Sequence, residues 1–438
     1  MTTLSEAVGG PKRVIGGPFG SKLTTRDYTD AGIPVIRGGN MEVDGRWIGG
    51  EFAFVSEDKV ARDLKTNLAH PGDIIVTQRG TLGQVSIVPD ESRYSRFVIS
   101  QSQMAISVDR TRIDRDYLYY FLRSPVFGDY SHTQTIQTGV PHINLGILRD
   151  TPLELRPLPE QRKLARVLGA LDDQIELNRR MSATLEEMAR ALYRSWFVDF
   201  DPVHARALGQ PPAHMDATTA ALFPDSFRPD GLPKGWALRP FSDQIEIISG
   251  GTPKTNVPDY WGGEIPWYSV VDAPEPGAVF VLDTEKKLTS AGFKGCAAKM
   301  IVKGTTIISA RGTIGKLAMA ASDMVFNQSC YGLKGSRAHM AEFVYFSAVR
   351  AVNILQSMSH GSVFSTITRK TFDGLDIVYP PDNVLEEFAR QSGLMLERTL
   401  EAQRESRTLA ALRDSLLPRL MSGQLRIRDA EKQVEEVV

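Results

Sequence analysis

Two short segments of the sequence carry residue types that bind nucleic acids. Both contain the pattern Arg-Gly-Thr-x-Gly, at residues 79–83 and 311–315, which are 232 positions apart. The guanidinium of Arg79 or Arg311 can fork to guanine O6 and N7 or to a phosphate, and the adjacent glycine permits close backbone approach. Thr81 and Thr313 can bond phosphate through hydroxyl and amide. The structural alternative, a pattern that merely sets a hairpin in both copies, stays open.

A larger set of candidate DNA contacts also occurs in matched pairs. Its members are polar or basic: Gln101-Ser102 with Gln328-Ser329, and Lys22 with Lys254. The glutamines and serines are candidates for base or phosphate contacts, with strand capping as the alternative. The lysines are candidates for phosphate contacts, or else solvated surface charges. Because matched residues explain a shared fold or phosphate contact better than different base reading, base-reading residues are expected where the copies differ, as in 37–46 against 268–276.

The sequence leaves open a catalytic function as an alternative to a role in binding alone, namely that of a metal-dependent nuclease. Carboxylates and a lysine of the kind that hold a catalytic metal occur at Asp259, Asp283, Glu285 and Lys287. The 232-residue offset replaces the last two by Ala53 and Val55, so the constellation exists in one copy only. A charged strand or turn end explains it equally well.

An internal duplication positions these candidates. GDIIVTQRGTLG at 72–83 aligns with GTTIISARGTIG at 304–315, and six of the twelve positions are identical. The β-branched runs around each turn predict strand–turn–strand, with further strands at 97–108 and 325–333. Aromatic segments near Tyr119 and Tyr345 predict short amphipathic helices. The fold class is therefore α+β, with two similar globular domains.

A long helix follows each copy. Apolar or small residues recur at alternating steps of four and three: Leu164, Leu168, Leu171, Ile175, Asn178, Ser182, Leu185, Ala189, Leu192 and Trp196, then Leu385, Ala389, Ser392, Leu396, Leu409, Leu412 and Leu416. This spacing is typical of a coiled-coil seam, and about 38 residues span roughly 57 Å. A narrow seam favours a partner helix, and the duplicate is the obvious partner. The alternative is that each helix lies on its own domain.

The order domain, helix, domain, helix predicts how the helices pair. The second helix is expected to run back antiparallel to the first, giving two heads separated by a two-helix spacer with an internal pseudo-two-fold. The predicted segments are 1–155 (first head), 156–200 (spacer helix), 201–235 (proline-rich linker), 236–380 (second head), 381–422 (second spacer helix) and 423–438 (a charged tail, expected to be frayed).

Two similar heads on a pseudo-symmetric spacer suit the reading of two separated half-sites on duplex DNA. Unequal heads would read unequal half-sites, so the target is expected to be bipartite and asymmetric. The alternative is a scaffold that binds two copies of a protein partner, and the spacer helices also offer docking surfaces.

Composition limits the remaining classes. The 438 residues carry a net charge of −1 with 42% hydrophobic residues, which excludes a disordered chain and a uniformly basic coat. Two cysteines, Cys296 and Cys330, exclude a disulfide framework and fit a reducing cytoplasm. The sequence shows no signal-peptide pattern, no membrane-length apolar run and no HExxH or paired-cysteine spacing, so neither membrane association nor a metal site is expected.

Several longer motifs resemble the specificity subunit of type I restriction–modification systems. They are LPEQRKLARVLGALDDQIELNRRMSATLEEMARALYRSWFVDFDPV at 158–203, FPDSF at 223–227, LPKGW at 232–236, SGGTPKTNVPDYWGGEIPW at 249–267 and LRDSLLPRLMSGQL at 412–425. The resemblance covers nearly the whole chain, and the 158–203 block is the most specific part.

The resemblance implies a non-catalytic DNA-binding role. The heads would be target-recognition domains, and the helices would dock two modification subunits, which restriction subunits join. The complex would methylate adenine, or translocate and cleave DNA. S-adenosylmethionine, ATP and Mg would belong to those partner subunits, leaving this chain without a cofactor.

Overall fold

The computed structural model describes residues 1–42, 45–80, 83–134, 142–275, 277–358 and 366–437. All structural statements below refer to these residues.

The first head is built from short strands and helices. Its strands are β1 (Thr2–Thr3), β2 (Val14–Gly16), β3 (Tyr28–Thr29), β4 (Ile33–Ile36), β5 (Ala53–Val55), β6 (Leu68–Ala69), β7 (Ile74–Thr77), β8 (Val85–Ile87), β9 (Phe97–Ile99), β10 (Gln103–Ile106) and β11 (Pro152–Leu153). Its helices are α1 (Leu4–Ala7), α2 (Glu57–Lys59), α3 (Arg115–Arg123), α4 (Pro125–Gln134) and α5 (Leu145–Arg149). Two sheets carry most of the strands, in the orders β2-β10-β7-β8 and β3-β5-β4-β9-β6.

A 40-residue helix, α6 (Leu158–Phe197), follows the first head. The proline-rich linker after it contains two short helices, α7 (Asp201–Ala207) and α8 (Ala217–Ala220). Phe223 of this linker is almost fully buried against Trp196 of α6, with ring centroids 4.9 Å apart. The linker is therefore anchored to the helix by aromatic packing.

The second head repeats the plan with longer elements. Its strands are β12 (Ala237–Pro240), β13 (Ile245–Ser249), β14 (Trp261–Tyr268), β15 (Phe280–Val281), β16 (Lys286–Leu288), β17 (Thr306–Ser309), β18 (Leu317–Ala320), β19 (Val325–Phe326), β20 (Cys330–Gly335) and β21 (Asp376–Tyr379). Its helices are α9 (Phe241–Gln244), α10 (Ser290–Lys294), α11 (Ala341–Met358) and α12 (Arg369–Asp373). The main sheets have the orders β13-β20-β17-β18-β15 and β16-β14-β19.

The predicted strand–turn–strand units are confirmed. Each of the two further strands is divided, into β9 and β10 and into β19 and β20, and the two aromatic helices also differ from expectation. The duplicated turns connect β7 to β8 and β17 to β18, which pair antiparallel as predicted. Helix α3 buries every residue from 117 to 122 instead of one face, because β8, α4 and α6 contact it from different sides. Helix α11 runs for 18 residues and is therefore not short.

The chain closes with a second 40-residue helix and a shorter one. Helix α13 (Asp382–Met421) follows Pro380-Pro381 as predicted, and α14 (Ile427–Glu435) occupies the segment expected to be frayed. That expectation is wrong. Ala430 and Val434 lie one helical turn apart and are buried in the core of the first head, so apolar burial orders the charged segment.

Two compact units result, and each long helix contributes one part to each unit. The first unit contains residues 1–176 and 408–438, and the second contains residues 177–407. In the first unit the early turns of α6 face the late turns of α13, because Arg413 donates to Asp172 at 2.7 Å and Arg156 donates to the carbonyl of Met421 at 2.9 Å.

The second unit shows the reverse pairing, with late α6 against early α13. Tyr193, Trp196 and Phe197 of α6 form an aromatic cluster with Phe388 of α13 and Phe343 of α11. In both units, therefore, α6 and α13 are antiparallel, and the predicted two-helix pairing is confirmed.

Most of the predicted seam is buried. In α6 the exceptions are Leu185 and Leu192, which are half-buried; in α13 they are Ala389 and Leu412. The buried stripe is wider than a two-position seam, because each helix also packs against a head. Asp172 is an example outside the seam: its carboxylate accepts hydrogen bonds from both Arg413 of α13 and Tyr120 of α3.

We expect Leu171→Asp to destabilise the first unit by about 4 kcal/mol or more, because Leu171 is fully buried and an unpaired carboxylate cannot be solvated there. Leu177→Asp is the matched control, since Leu177 lies on the same helix with 57% of its surface exposed. Thermal unfolding of the two variants measures the difference. Equal midpoints would show that the stripe is not a packed core.

Candidate nucleic-acid interface

The Arg79 turn of the first head is held at its base by two other segments. The amide of Gln78 donates to the carbonyl of Ser102 at 2.7 Å, and the amide of Ile143 donates to the carbonyl of Gln78 at 3.1 Å. The first two residues of the turn, Arg79 and Gly80, are exposed to solvent. Thr81 lies outside the described residues, so its predicted phosphate contact has no geometry to report.

The Arg311 turn of the second head is clamped in the same way. Ala310, which aligns with Gln78, donates to the carbonyl of Ser329 at 2.8 Å and accepts from the amide of Ile367 at 2.9 Å. The hydroxyl of Ser309 closes the turn, donating to the carbonyl of Thr313 at 2.5 Å and accepting from the amide of Lys316 at 2.8 Å. Arg311 and Thr313 are exposed.

Both turns are thus rigid at the base and present an exposed arginine. In each head, the carbonyl of the serine in the glutamine–serine pair accepts one of the clamping bonds. The structure therefore gives the backbone of Ser102 and Ser329 a role in shaping the turn. This role is close to strand capping, the alternative to DNA contact for these pairs.

The two glutamines hold a neighbouring loop against the turn. The Nε2 of Gln101 donates to the carbonyls of Gly20 at 2.6 Å and Leu23 at 3.1 Å. In the second head the Oε1 of Gln328 accepts from the hydroxyl of Thr252, which aligns with Gly20 at the 232-residue offset. These loops carry the two predicted lysines, so each glutamine bonds to the loop beside an exposed lysine, through backbone carbonyls in the first head and through a threonine hydroxyl in the second.

Glycine permits this loop to approach the glutamine–serine segment. A Cβ on Gly17 would lie 1.9 Å from the carbonyl oxygen of Ser100, and a Cβ on Gly250 would lie 2.0 Å from that of Asn327. Any side chain at either position would force the loop away from the clamp.

In the first head these segments enclose an open cleft of about 560 Å³. Its described lining is polar or basic apart from Leu23 and two glycines: Thr24, Thr25, Tyr28, Arg37, Thr77, Arg79, Gln84, Ser100, Gln101, Ser102 and Gln103. Two arginines and no carboxylate line it. Such a cleft favours an anionic ligand that also offers hydrogen-bond acceptors, as a nucleic acid does.

Sequence reasoning missed part of this cleft. Arg37 lay in the stretch expected to differ between the copies, whereas Tyr28, Gln84 and Gln103 were not singled out. The Nε2 of Gln103 is buried without a hydrogen-bond partner among the described residues. Only pairing of β7 with β10 brings Gln103 opposite Thr77, so no local pattern could have identified it.

Lys254 of the second head lies beside an aromatic–basic pair. Its carbonyl accepts from the indole of Trp261 at 3.4 Å, and the Nζ of Lys286 lies 5.9 Å from the centroid of the Trp261 ring. Trp261 in turn packs edge-on against Trp267 at 5.1 Å. The lysine backbone is therefore held in place while its side chain is exposed.

Among the residues of the nuclease alternative, the side chains of Asp283 and Lys287 are ion-paired, whereas the bonds at Glu285 and Asp259 involve their backbone atoms. Asp283 forms ion pairs with Lys287 at 3.1 Å and with Arg407 of α13 at 2.6 Å. Glu285 donates its amide to Asp272, and the carbonyl of Asp259 accepts from the hydroxyl of Thr289. Among the described residues, no group of three histidine, cysteine or acidic side chains is placed to hold a metal ion.

Electrostatics at Asp283 agree with an ion-pair role. Partial burial acts to raise the pKa of the carboxyl, but hydrogen bonds from Arg407, the Thr284 amide and Lys287 outweigh it and lower the pKa to about 2. The carboxylate is thus committed to two cations that belong to this chain, and one of them attaches the second head to α13.

Bilayer-spanning helices need a length and an apolar composition that none of the described helices combines.

Comparison with known proteins gives consistent results. The family model for the type I restriction modification DNA specificity domain matches residues 17–187 and 233–390. The HindI specificity subunit of Haemophilus influenzae is 25% identical over 401 residues, covering 80% of this chain and 87% of that protein. The MjaIX specificity subunit of Methanocaldococcus jannaschii is 21% identical over 416 residues, covering 86% and 85%.

Two solved structures were also compared with the chain. The S subunit from M. genitalium superposes with a TM-score of 0.48 at 16% identity, covering 93% of this chain and 92% of that one. The HsdS subunit from Thermoanaerobacter tengcongensis gives 0.32 at 15% identity, covering 95% and 96%.

The two matched regions each include one clamped turn and part of one long helix, and together they account for most of the sequence. The chain therefore belongs to the type I restriction–modification DNA specificity subunit family, whose members are not themselves catalytic.

Proposed function

We propose that this specificity subunit reads an asymmetric, bipartite target on double-stranded DNA, with one half-site for each head. The observation that carries the proposal is the duplicated clamp. Both heads present an exposed arginine on a turn fixed by the same backbone bonds, and the residues around the two turns differ. Matched turns supply equivalent anchoring, and different surroundings supply different sequence preference.

The long helices support a second part of the proposal, the docking of two modification subunits. Within the second unit, α6 leaves Leu177 and Met188 exposed at 57% and 51%. They are eleven positions apart, which is three helical turns, so they share a face. Exposed apolar side chains on one helix face suit a protein partner.

Restriction subunits would complete the assembly, and one related structure is described as showing the assembly and conformational transition of the type I R-M system. S-adenosylmethionine, ATP and Mg would be bound by those partners. A cytoplasmic location follows from this role, and it agrees with the two free cysteines.

The purified chain is expected to show neither methyl transfer nor DNA cleavage, because its candidate metal-binding carboxylate is paired with Arg407 and Lys287. Adding a modification subunit and S-adenosylmethionine should produce adenine methylation. Incorporation of labelled methyl groups and gel analysis of plasmid DNA measure the two activities. Cleavage by the chain alone that disappears in Asp283→Ala would replace this proposal with the nuclease.

Exchanging one head for that of a relative should change one half of the methylated motif and leave the other half intact. The physical reason is that each head has its own sheets and its own clamped turn. Methylome sequencing of cells that carry the exchanged subunit reads the motif directly. A continuous motif, or one in which both halves change together, would contradict independent reading.

Arg79→Ala and Arg311→Ala should each weaken DNA binding. If the arginine contacts a phosphate, the slope of log affinity against log salt should become shallower by about one, with little change in sequence preference. If it contacts a base, discrimination at one base pair should relax instead. Fluorescence anisotropy over a salt series distinguishes the two. Arg62→Ala is the control, because Arg62 is a largely exposed arginine of the first head outside the cleft.

A further inference from the structure

A second duplicated feature lies next to the Arg79 cleft, namely a single turn of 3-10 helix directly after a strand. We name residues 37–40 and 269–272 the capped turns; they are 232 positions apart. In the first, the amide of Arg37 donates to the Oδ1 of Asn40 at 3.0 Å. In the second, the amide of Ser269 donates to the Oδ2 of Asp272 at 2.8 Å.

The fourth residue of each capped turn also fixes it to the rest of the head. Asn40 is buried, and its Nδ2 donates to the carbonyls of Gly49 at 3.0 Å and Glu51 at 2.9 Å. Asp272 uses its second oxygen to accept the amide of Glu285 at 2.7 Å. In both capped turns, the side chain at the fourth position therefore hydrogen-bonds to a segment 9 to 13 residues further along the chain.

The strand that leads into each capped turn has the same partner in both heads. Strand β4 pairs parallel with β9, and β14 pairs parallel with β19. The carbonyl of Ile36 accepts from Ser100 at 3.0 Å, and that of Tyr268 accepts from Asn327 at 2.9 Å. Both capped turns therefore begin at the same point relative to the glutamine–serine pair and the clamped turn.

The side chains on this common backbone differ completely. The first head presents Arg-Gly-Gly, and the second presents Ser-Val-Val. Packing in the first head does not require the two glycines, because a Cβ on Gly39 would meet nothing within 4 Å and one on Gly38 would only touch Gln103 at 3.8 Å. At the exposed positions 39 and 271, packing does not fix the side chain, which leaves these positions available for contact with a ligand.

Arg37 is suited to reading a base. It lines the same cleft as Arg79, it is exposed, and its guanidinium lies 5.9 Å from the ring centroid of Tyr28. Among the described residues it forms no ion pair, so its five donors are available. An arginine held by a rigid turn is the side chain that most often forks to guanine O6 and N7 in the major groove.

Val271 occupies the tip of the other capped turn with 77% of its surface exposed, an unfavourable position for a branched apolar side chain. Val270 beside it packs partly into the core of the second head, so the turn cannot simply rotate Val271 inward. In the major groove, the apolar group that would cover it is the C5-methyl of thymine.

We infer that the capped turns are the specificity-determining elements of the two heads, with Arg37 reading a guanine in one half-site and Val271 contacting a thymine methyl in the other. The inference rests on the proposed bipartite reading. It assigns base discrimination to residues that differ between the heads and leaves anchoring to Arg79 and Arg311, which do not differ.

The test is methylome sequencing of cells that express the full chain with its modification subunits. Arg37→Ser should make one G·C pair of the first head's half-site unspecified, a loss of roughly tenfold to hundredfold discrimination, and Arg37→Lys should lose less. Val271→Ala should relax one T·A pair of the other half-site several-fold. Arg62→Ser and Val302→Ala, at exposed positions of the two heads, should leave the motif unchanged.

Three results would overturn the inference. The first is an unchanged motif in both variants with normal thermal unfolding, while head exchange still switches one half; the proposed function would then stand alone. The second is relaxation by only one of the two variants. The third is loss of methylation at all sequences by a folded Arg37→Ser protein, which would make Arg37 an anchoring contact. Failure of head exchange itself would instead refute the proposed bipartite reading.

Discussion

In each unit, the hydrophobic core is formed by a head together with two helical segments from distant parts of the chain, which pack against each other. In the first unit, the Asp172–Arg413 ion pair joins these two helical segments. Its partners are 241 residues apart in the sequence, and both are nearly fully buried. Burial works against the charge of Arg413, yet Asp172 and Asp414 raise its guanidinium pKa above the ordinary value. Removing either partner would leave a buried charge unpaired, so the pair disfavours arrangements in which these two helical segments do not meet.

The heads depend on this arrangement for their attachment. In the first, Tyr120 of α3 donates to the same Asp172 at 2.6 Å, so one carboxylate joins a head to both helices. In the second, Asp283 pairs with Arg407, and Gln403 of α13 accepts from the amide of Phe280 at 3.2 Å. A residue that could be mistaken for a metal ligand is therefore part of the attachment of a head to its helix.

The surface around the clamped turns is built differently, because the backbone bonds of the clamp recur in both heads while several exposed side chains around it differ. The clamp recurs with the same backbone donors and acceptors. The loop held by glutamine and the capped turn recur at the same positions, although the glutamine and the fourth residue of the capped turn donate in the first head and accept in the second. Because the clamp is made of backbone bonds, the exposed side chains around it can differ between the heads without loss of those bonds. It also explains why the matched glutamines and serines turn out to make internal bonds.

Much of the fold could be predicted from the sequence. The duplication, the strand–turn–strand units and the two long helices depend on local spacing, and all of them occur where the pattern placed them. The final segment could not be predicted, since α14 is ordered by a core that lies far away in the sequence. The all-round burial of α3 had the same origin: three separate elements cover it.

The candidate site divides in the same way. By itself, the sequence determined that there are two heads and that each carries an Arg-Gly turn, because repeats and turn residues are local properties. Only the tertiary structure decided which residues share a cleft with Arg79, since β4, β7 and β10 bring Arg37 and Gln103 to it from separate parts of the chain. It also decided that Asp283 serves an ion pair, because that role depends on a partner 124 residues away on α13.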